Sequence, residues 1–340
     1  MRWPLISLAA AAILIAVGGT KSTGLVLPAT DSPRPALEAR IGMLGAVLKR
    51  LANNTPGLVA ITVSDARGQM PVSVNGDWNL PAASVIKVPI MVEVMRQVSL
   101  GRFSLQREVT LNAGDVDCGS GDLCNADVGE RFSVLNLMRI MIINSDNTAS
   151  NMLIRLVGRE NVNSTMEGLG LAQTSLGASI HAYSGSIRSL RTSTNDMMRL
   201  LAMIASRRLV NEQASDLMLS ILAQQRHNSY LPKPLPKGTV VAHKTGSLHD
   251  TLNDVGIVDL EGAPYIVCVI TTHLEDLDDG ARLIRRVSRA AYDTFVTAQA
   301  EDAAPLMTTP PAAPAEDTLP GGDGLPTAAP PLETSPTSPQ

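Results

Sequence analysis

The order of apolar and polar positions divides the chain into a helix, two strands, a long helical middle, further strands and a closing helix. Leu37, Ile41, Leu44, Val47 and Leu48 recur at helical spacing and predict an amphipathic helix beginning near Leu37. Leu58 to Ser64 and Val72 to Val74 read as strands. From Val85 to Val98 the chain is apolar nearly all round, which marks a buried helix with Met91 and Met95 as core packing. Pro89 is discordant there, because it removes a donor shortly after the start and predicts a kink. The apolar runs Leu135 to Ile143 and Met152 to Val157 predict two helices separated by a polar turn, the second stopped at Gly158. Thr239 to His243, Asp254 to Leu260 and Tyr265 to Ile270 predict successive antiparallel strands. A last helix from about Asp279 carries Leu283, Ile284, Val287, Ala291 and Phe295 on one face. This order suits an α+β fold whose sheet is assembled from both ends of the chain.

The two ends change the picture of what belongs to that fold. Leu5 to Val17 is an apolar run shorter than the roughly 20 residues that span a bilayer. Residues 1–20 therefore read as a secretory signal, or alternatively as an uncleaved anchor. Residues 301–340 hold 10 of the 22 prolines, six acids and no Lys or Arg, and read as a disordered, Pro-rich acidic tail. Residues 37–298 remain as one domain near the upper end of ordinary size. Removing the six tail acids from the net charge of −4 leaves +2, which offers no electrostatic footprint for nucleic acid. Membrane contact is expected only through the N-terminal segment, and the domain is expected to be a monomer. Cys118 and Cys124 flank a Gly-rich loop, so an exported chain would form a local disulfide there, with Cys268 a core residue. The five His lack paired zinc spacing, and no metal or cofactor is expected.

Candidate chemistry enters with three short motifs: Ser84-Val-Ile-Lys87, Ser145-Asp-Asn147 and Lys244-Thr-Gly246. Each is weak alone, but the ordered trio is specific. Ser84 and Lys87 share one helix face, and a buried lysine loses affinity for its proton, which makes it a base for the serine hydroxyl. Ser145 can pass a proton to a leaving nitrogen, and the Asn147 amide can grip a substrate carbonyl. On an edge strand, Lys244 would attract a substrate carboxylate. Gly246 would admit a substrate backbone laid down as an added strand. The backbone N–H groups of Ser84 and Ser247 would form an oxyanion hole.

From about Gly57 to Phe295 the chain resembles class A β-lactamase-type serine hydrolases, whose fold is shared with penicillin-binding peptidases. The resemblance is carried by residues 81–87, 145–151, 192–197 and 235–246, which contain the three motifs. It implies a five-stranded antiparallel sheet flanked by helices plus a helical subdomain, with the site between them. It also implies Ser84 as nucleophile, Lys87 as base and Ser145 as relay, with Asn147, Lys244, Thr245 and Ser247 meeting the substrate.

Two departures bear on turnover. Class A β-lactamases activate the deacylating water with an Ω-loop glutamate, yet no Asp or Glu occurs here between Glu167 and Asp196. His181 is the one candidate base in that stretch. The aromatic residue that usually gates the cleft is also missing, since the chain there reads Cys118-Gly-Ser-Gly. The expected function is an exported (periplasmic, envelope or secreted) acyl-transfer hydrolase acylated by β-lactams at Ser84, with slow release. The alternatives are a D-Ala-D-Ala carboxypeptidase or transpeptidase of peptidoglycan, a non-catalytic β-lactam or wall-peptide binding domain, and an esterase using the same motifs.

Overall fold

Strands from the two ends of the chain meet in one sheet. The computed structural model describes residues 34–181 and 188–304. Its first half runs α1 (Pro35–Asn53), β1 (Leu58–Asp65), β2 (Val72–Val74), β3 (Leu80–Pro81), a 3₁₀ turn (Ala83–Ile86), α2 (Lys87–Ser99), β4 (Glu108–Thr110), β5 (Arg131–Ser133), α3 (Val134–Ile143), α4 (Asn147–Val157) and α5 (Arg159–Gly168). The second half runs β6 (Ser175–Leu176), β7 (Leu190–Thr192), α6 (Thr194–Ala205), α7 (Glu212–Leu222), β8 (Val240–Leu248), β9 (Thr251–Asp259), β10 (Tyr265–Thr272) and α8 (Leu277–Ala303). The main sheet has the order β2-β1-β10-β9-β8. Its pairings are antiparallel, and β1 meets β10 from Leu58↔Thr272 to Asp65↔Tyr265.

The sheet separates two cores. On one face, Leu37, Leu44 and Leu48 of α1 and Ile284, Val287 and Phe295 of α8 pack on Ile61, Val267 and Val269. On the other, Ile257, Ile266 and Cys268 meet a helical subdomain centred on α2, with Met91, Leu137, Met152 and Leu200 in one apolar cluster. This is the α+β arrangement expected, a five-stranded antiparallel sheet flanked by helices. Cys118 and Cys124 form the disulfide, and Cys268 is a buried thiol.

Several local expectations are revised. Pro89 is the third residue of α2, and the helix runs through it. N–H groups in a helix's first turn have no intrahelical acceptor, so a proline there costs no hydrogen bond. Strand β8 continues to Leu248, which puts Lys244, Thr245 and Gly246 inside the edge strand rather than at its end. Helix α8 reaches three residues into the segment read as tail. Those residues have partners on α1: Glu301 binds Arg40, and Asp302 Oδ1 accepts from Ala36 N at 3.0 Å. The signal or anchor reading of residues 1–20, and the tail from residue 305, lie outside the described residues.

Helix α2 also holds a charge that its apolar pattern conceals. Glu93 is fully buried. It accepts from Arg96 Nε at 2.7 Å, Gln97 Nε2 at 2.6 Å and Thr165 Oγ1 at 2.6 Å. Burial pushes its carboxyl up, but these bonds outweigh that and hold it below the ordinary glutamate range. The cluster ties α2 to α5. Glu93→Ala should therefore destabilise the fold by on the order of 3 kcal/mol, because it strands a cation and a buried amide. In thermal unfolding near neutral pH, that would lower the midpoint by roughly 6–12 °C. A carboxylate with a depressed folded-state pKa stabilises above its unfolded value, and the gain is lost as pH falls through the folded one. The difference between variant and wild type should accordingly narrow at acid pH. Equal midpoints near neutrality would show that the cluster contributes nothing.

Candidate active site

The segment carrying Ser84 is held from three sides. Ala82 N donates to Leu190 O at 2.8 Å. From β9, Asn253 Nδ2 donates to Pro81 O at 3.0 Å and Ala82 O at 3.1 Å. From β8, Gly246 lies so close that an added Cβ would stand 3.0 Å from Ser84 N and 3.1 Å from Ala82 O. Only glycine lets the edge strand approach the serine this closely. Ala83 takes a φ of +46°, a conformation that costs a non-glycine residue on the order of 1–3 kcal/mol. The 3₁₀ turn then presents Ser84 three residues ahead of Lys87, on the same side.

Lys87 has no exposed surface. Its Nζ donates to Ser145 O at 2.6 Å and Asn147 Oδ1 at 2.7 Å, and lies 3.3 Å from Ser145 Oγ. These partners come from the turn between α3 and α4 and from Asn147, the first residue of α4. Ser145 has a φ of +56°, so it turns both its carbonyl and its hydroxyl toward the lysine. Asp146 caps α4 by accepting from Ala149 N at 2.8 Å. Lys244 reaches the same hydroxyl from the sheet, with Nζ 3.0 Å from Ser145 Oγ and 2.8 Å from Thr245 O. Burial, then the charge of Lys244, pushes the Lys87 ammonium well below the ordinary lysine range, while Asp146 and Asp117 oppose the shift. Burial brings Lys244 to about 7, with Asp254 opposing.

Above this polar floor lies a cleft of about 370 Å³. Ser84, Ser145, Asn147, Thr245, Gly246 and Ser247 open onto it, with Lys87 and Lys244 buried beneath. The eight residues singled out from the motifs are thus gathered at one place. Gly119 and Ser120 of the disulfide loop also line the cleft. So do His227 and Tyr230, which no motif flagged. Their loop is tied to the sheet by buried groups: His243 bridges Asp254 Oδ1 at 2.8 Å and Asn228 Oδ1 at 3.0 Å, and Leu231 N donates to Asp254 Oδ2 at 3.1 Å. His181 stands 3.9 Å from the carboxylate of buried Asp117, a residue that sequence reasoning also passed over.

The family model described as the beta-lactamase enzyme family matches residues 43–295. The chain belongs to that family. It is a serine hydrolase of the β-lactamase and penicillin-binding type, similar to the extended-spectrum β-lactamase PER-1 of Pseudomonas aeruginosa. The two are 27% identical over 238 residues, covering 65% of this chain and 77% of PER-1. Among solved structures it resembles PBP-A, with 28% identity, a TM-score of 0.71, and coverage of 75% of this chain and 96% of PBP-A. A leucine-to-glutamate mutant of PBP-A, solved as an acyl-enzyme complex with penicillin G, matches at 28% identity and a TM-score of 0.71 over 75% of this chain and 97% of that one. A β-lactamase from Sphaerobacter thermophilus matches with 28% identity and a TM-score of 0.68, over 76% of this chain and 98% of that one.

Proposed function

We propose that this β-lactamase-family enzyme is acylated at Ser84 by β-lactams and releases the acyl group slowly. The observation that carries the reading is a fully buried lysine one turn after Ser84, bonded to the Ser145 turn and facing a second buried lysine. Neutral Lys87 takes the proton of Ser84 as its Oγ attacks the lactam carbonyl carbon. The C–N bond then breaks, and the proton reaches the departing nitrogen through the Ser145 hydroxyl. Charged Lys244, with Thr245, holds the substrate carboxylate. The N–H groups of Ser84 and Ser247 take the developing oxyanion, each such donor being worth about 3–4 kcal/mol. Asn147 contributes its amide to the acyl side. The reaction needs no metal or cofactor.

Slow release follows from the region between Glu167 and Asp196, which has no carboxylate to activate water. A general base is worth roughly 10²–10⁴-fold, so a turnover of ~10 s⁻¹ would fall to about 10⁻¹ to 10⁻³ s⁻¹. The same feature favours a second reading, a D-Ala-D-Ala peptidase of peptidoglycan for which a β-lactam is an inhibitor. That reading and the signal-like N-terminus both fit an exported enzyme of the cell envelope.

Intact-protein mass spectrometry after mixing with benzylpenicillin separates these outcomes. The expected result is one penicilloyl adduct that persists for minutes and is absent in Ser84→Ala. An adduct on the Ser84→Ala protein would refute the nucleophile assignment, and one that clears within seconds would refute slow release. A pH profile tests the lysines. Lys244 binds a carboxylate only while protonated, so the second-order acylation rate should decline as pH rises past about 7. Lys244→Arg, which stays charged at any working pH, should lose that alkaline decline. A decline that survives in Lys244→Arg would remove Lys244 from the role.

A further inference from the structure

Between Asp115 and Asp127 the chain forms a loop that the three motifs do not explain, and its one buried carboxylate beside the site is Asp117. Asp117 Oδ1 accepts from Asn147 Nδ2 at 2.8 Å and from Gly119 N at 2.9 Å. On the far side of the same amide, Asn147 Oδ1 faces Lys87 Nζ at 2.7 Å. The two ends of an Asn amide are almost identical in shape, so packing alone does not choose between them. A carboxylate accepts hydrogen bonds and does not donate. Asp117 therefore forces the NH₂ group toward itself and leaves the oxygen for Lys87.

The carboxylate is held as tightly as the amide it orients. Asp117 N donates to Thr148 Oγ1 at 3.0 Å, and that hydroxyl donates back to Asp117 O at 3.1 Å. Within the loop closed by the Cys118–Cys124 disulfide, Leu123 N donates to Asp146 Oδ2 at 2.8 Å, and Ser120 O accepts from Asn147 N at 2.9 Å. An added Cβ on Gly121 would lie 2.1 Å from Asp146 Oδ2, so glycine is what allows the loop to lie against the turn. Loop and turn are thus laced together at Asp146, Asn147 and Thr148.

We infer that Asp117 is a positioning residue for acylation, acting through the Asn147 amide on Lys87. The inference rests on the acylation reading above. Through this bridge the disulfide loop supplies a negative charge near the buried lysine, where the region after Glu167 supplies none. The charged and titratable groups around Asp117 are Lys87 beyond Asn147, Asp146 on the same turn, His181 at 3.9 Å, Asp115 two residues earlier in its pair with Arg155, and Lys244 beyond Ser145. Of these, Lys87 is the group that must shed a proton for Ser84 to attack. The Asp117 charge raises the proton affinity of Lys87 against the effect of burial.

The experiment is the pH dependence of the second-order acylation rate for the full chain with benzylpenicillin, read by mass spectrometry. In Asp117→Asn the charge is lost, and the amide lock is weakened because a neutral carboxamide is a poorer acceptor than a carboxylate and can also donate. The plateau rate should fall by about 10–100-fold, as expected for a small misplacement of a catalytic group. The acid limb should move to lower pH, because Lys87 loses a neighbour that favours its protonated form. Asp117→Glu, which keeps the charge but displaces the amide, should lower the plateau and leave the limb in place. In an Asn147→Ala background, Asp117→Asn should leave the plateau unchanged, since the route of action is gone. A lower melting temperature with unaltered plateau and limb in Asp117→Asn would mean that the carboxylate only braces the loop, and would overturn the proposal. So would full additivity of the two substitutions. If Asp117→Asn does not fold, an unchanged plateau in Asp117→Glu overturns the proposal equally. Failure of the wild-type protein to label at Ser84 would overturn both this inference and the reading beneath it.

Discussion

A lysine amine with no contact with water organises this structure. Removing an ammonium from water costs several kcal/mol even after the protein relaxes, so a buried lysine persists only where its hydrogen bonds are fully met or its proton is shed. Lys87 meets the first condition, and burial with the charge of Lys244 weakens its hold on the proton. Two oxygens that can only accept, Ser145 O and Asn147 Oδ1, stand at 2.6 and 2.7 Å, and the third neighbour is a hydroxyl, Ser145 Oγ, at 3.3 Å. That set leaves no N–H of Lys87 without an acceptor. Presenting it requires Ser145 to adopt a left-handed backbone and α3 and α4 to break where they do. Ser145 is thereby the point at which α2, the α3–α4 turn and, through Lys244, the main sheet converge.

The two lysines are alike in burial and differ in use. They oppose each other's charge, and together they would be untenable as two ammonium ions in one dry pocket. Asp254 supports Lys244, whereas Asp146 and Asp117 support Lys87 less than burial and Lys244 oppose it. The balance lowers the hold of Lys87 on its proton further than that of Lys244, which burial brings to about 7. Two side chains of one type are thus given different proton affinities by their surroundings. A shared hydroxyl between the two amines gives the proton a short path between them.

Much of this was legible in the sequence because the informative signals are local. Apolar periodicity marks α1, α2 and α8, β-branched runs mark β8 to β10, and the three motifs survive as contiguous text. The juxtaposition of Ser84 and Lys87 follows from a spacing of three, and the turn at Ser145 follows from apolar runs on either side. What escaped notice depends on contacts between distant residues. Asn253 is tied to Pro81 across 172 positions, and Asn147 to Asp117 across 30, with no shared pattern to announce either. Backbone strain at Ala83 is likewise invisible, since alanine rarely adopts a positive φ. Glu93 was hidden for a different reason. One acid in an apolar helix looks like its solvent-facing edge until Thr165, from α5, is seen to cover it.

The family's acylation chemistry and the slow release proposed above draw on different parts of the cleft. Acylation draws on groups fixed by the sheet, α2 and the Ser145 turn, which brace one another through buried bonds. Deacylation needs a further base placed over the acyl carbon, and such a base is normally carried by a loop that can vary without disturbing the core. Here the stretch between Glu167 and Asp196 contains no acid, while the loop from Asp115 to Asp127 carries a disulfide and a buried aspartate that grips Asn147. Oδ1 of that aspartate is already engaged by Asn147 and Gly119, and the carboxylate is sealed from the cleft, so it is suited to holding groups in place and poorly suited to activating water. The architecture therefore invests its rigidity in forming the acyl-enzyme. Rigidity of that kind serves an enzyme whose natural acyl acceptor arrives from outside, such as an amine or water admitted with the substrate, as readily as it serves one that destroys an antibiotic.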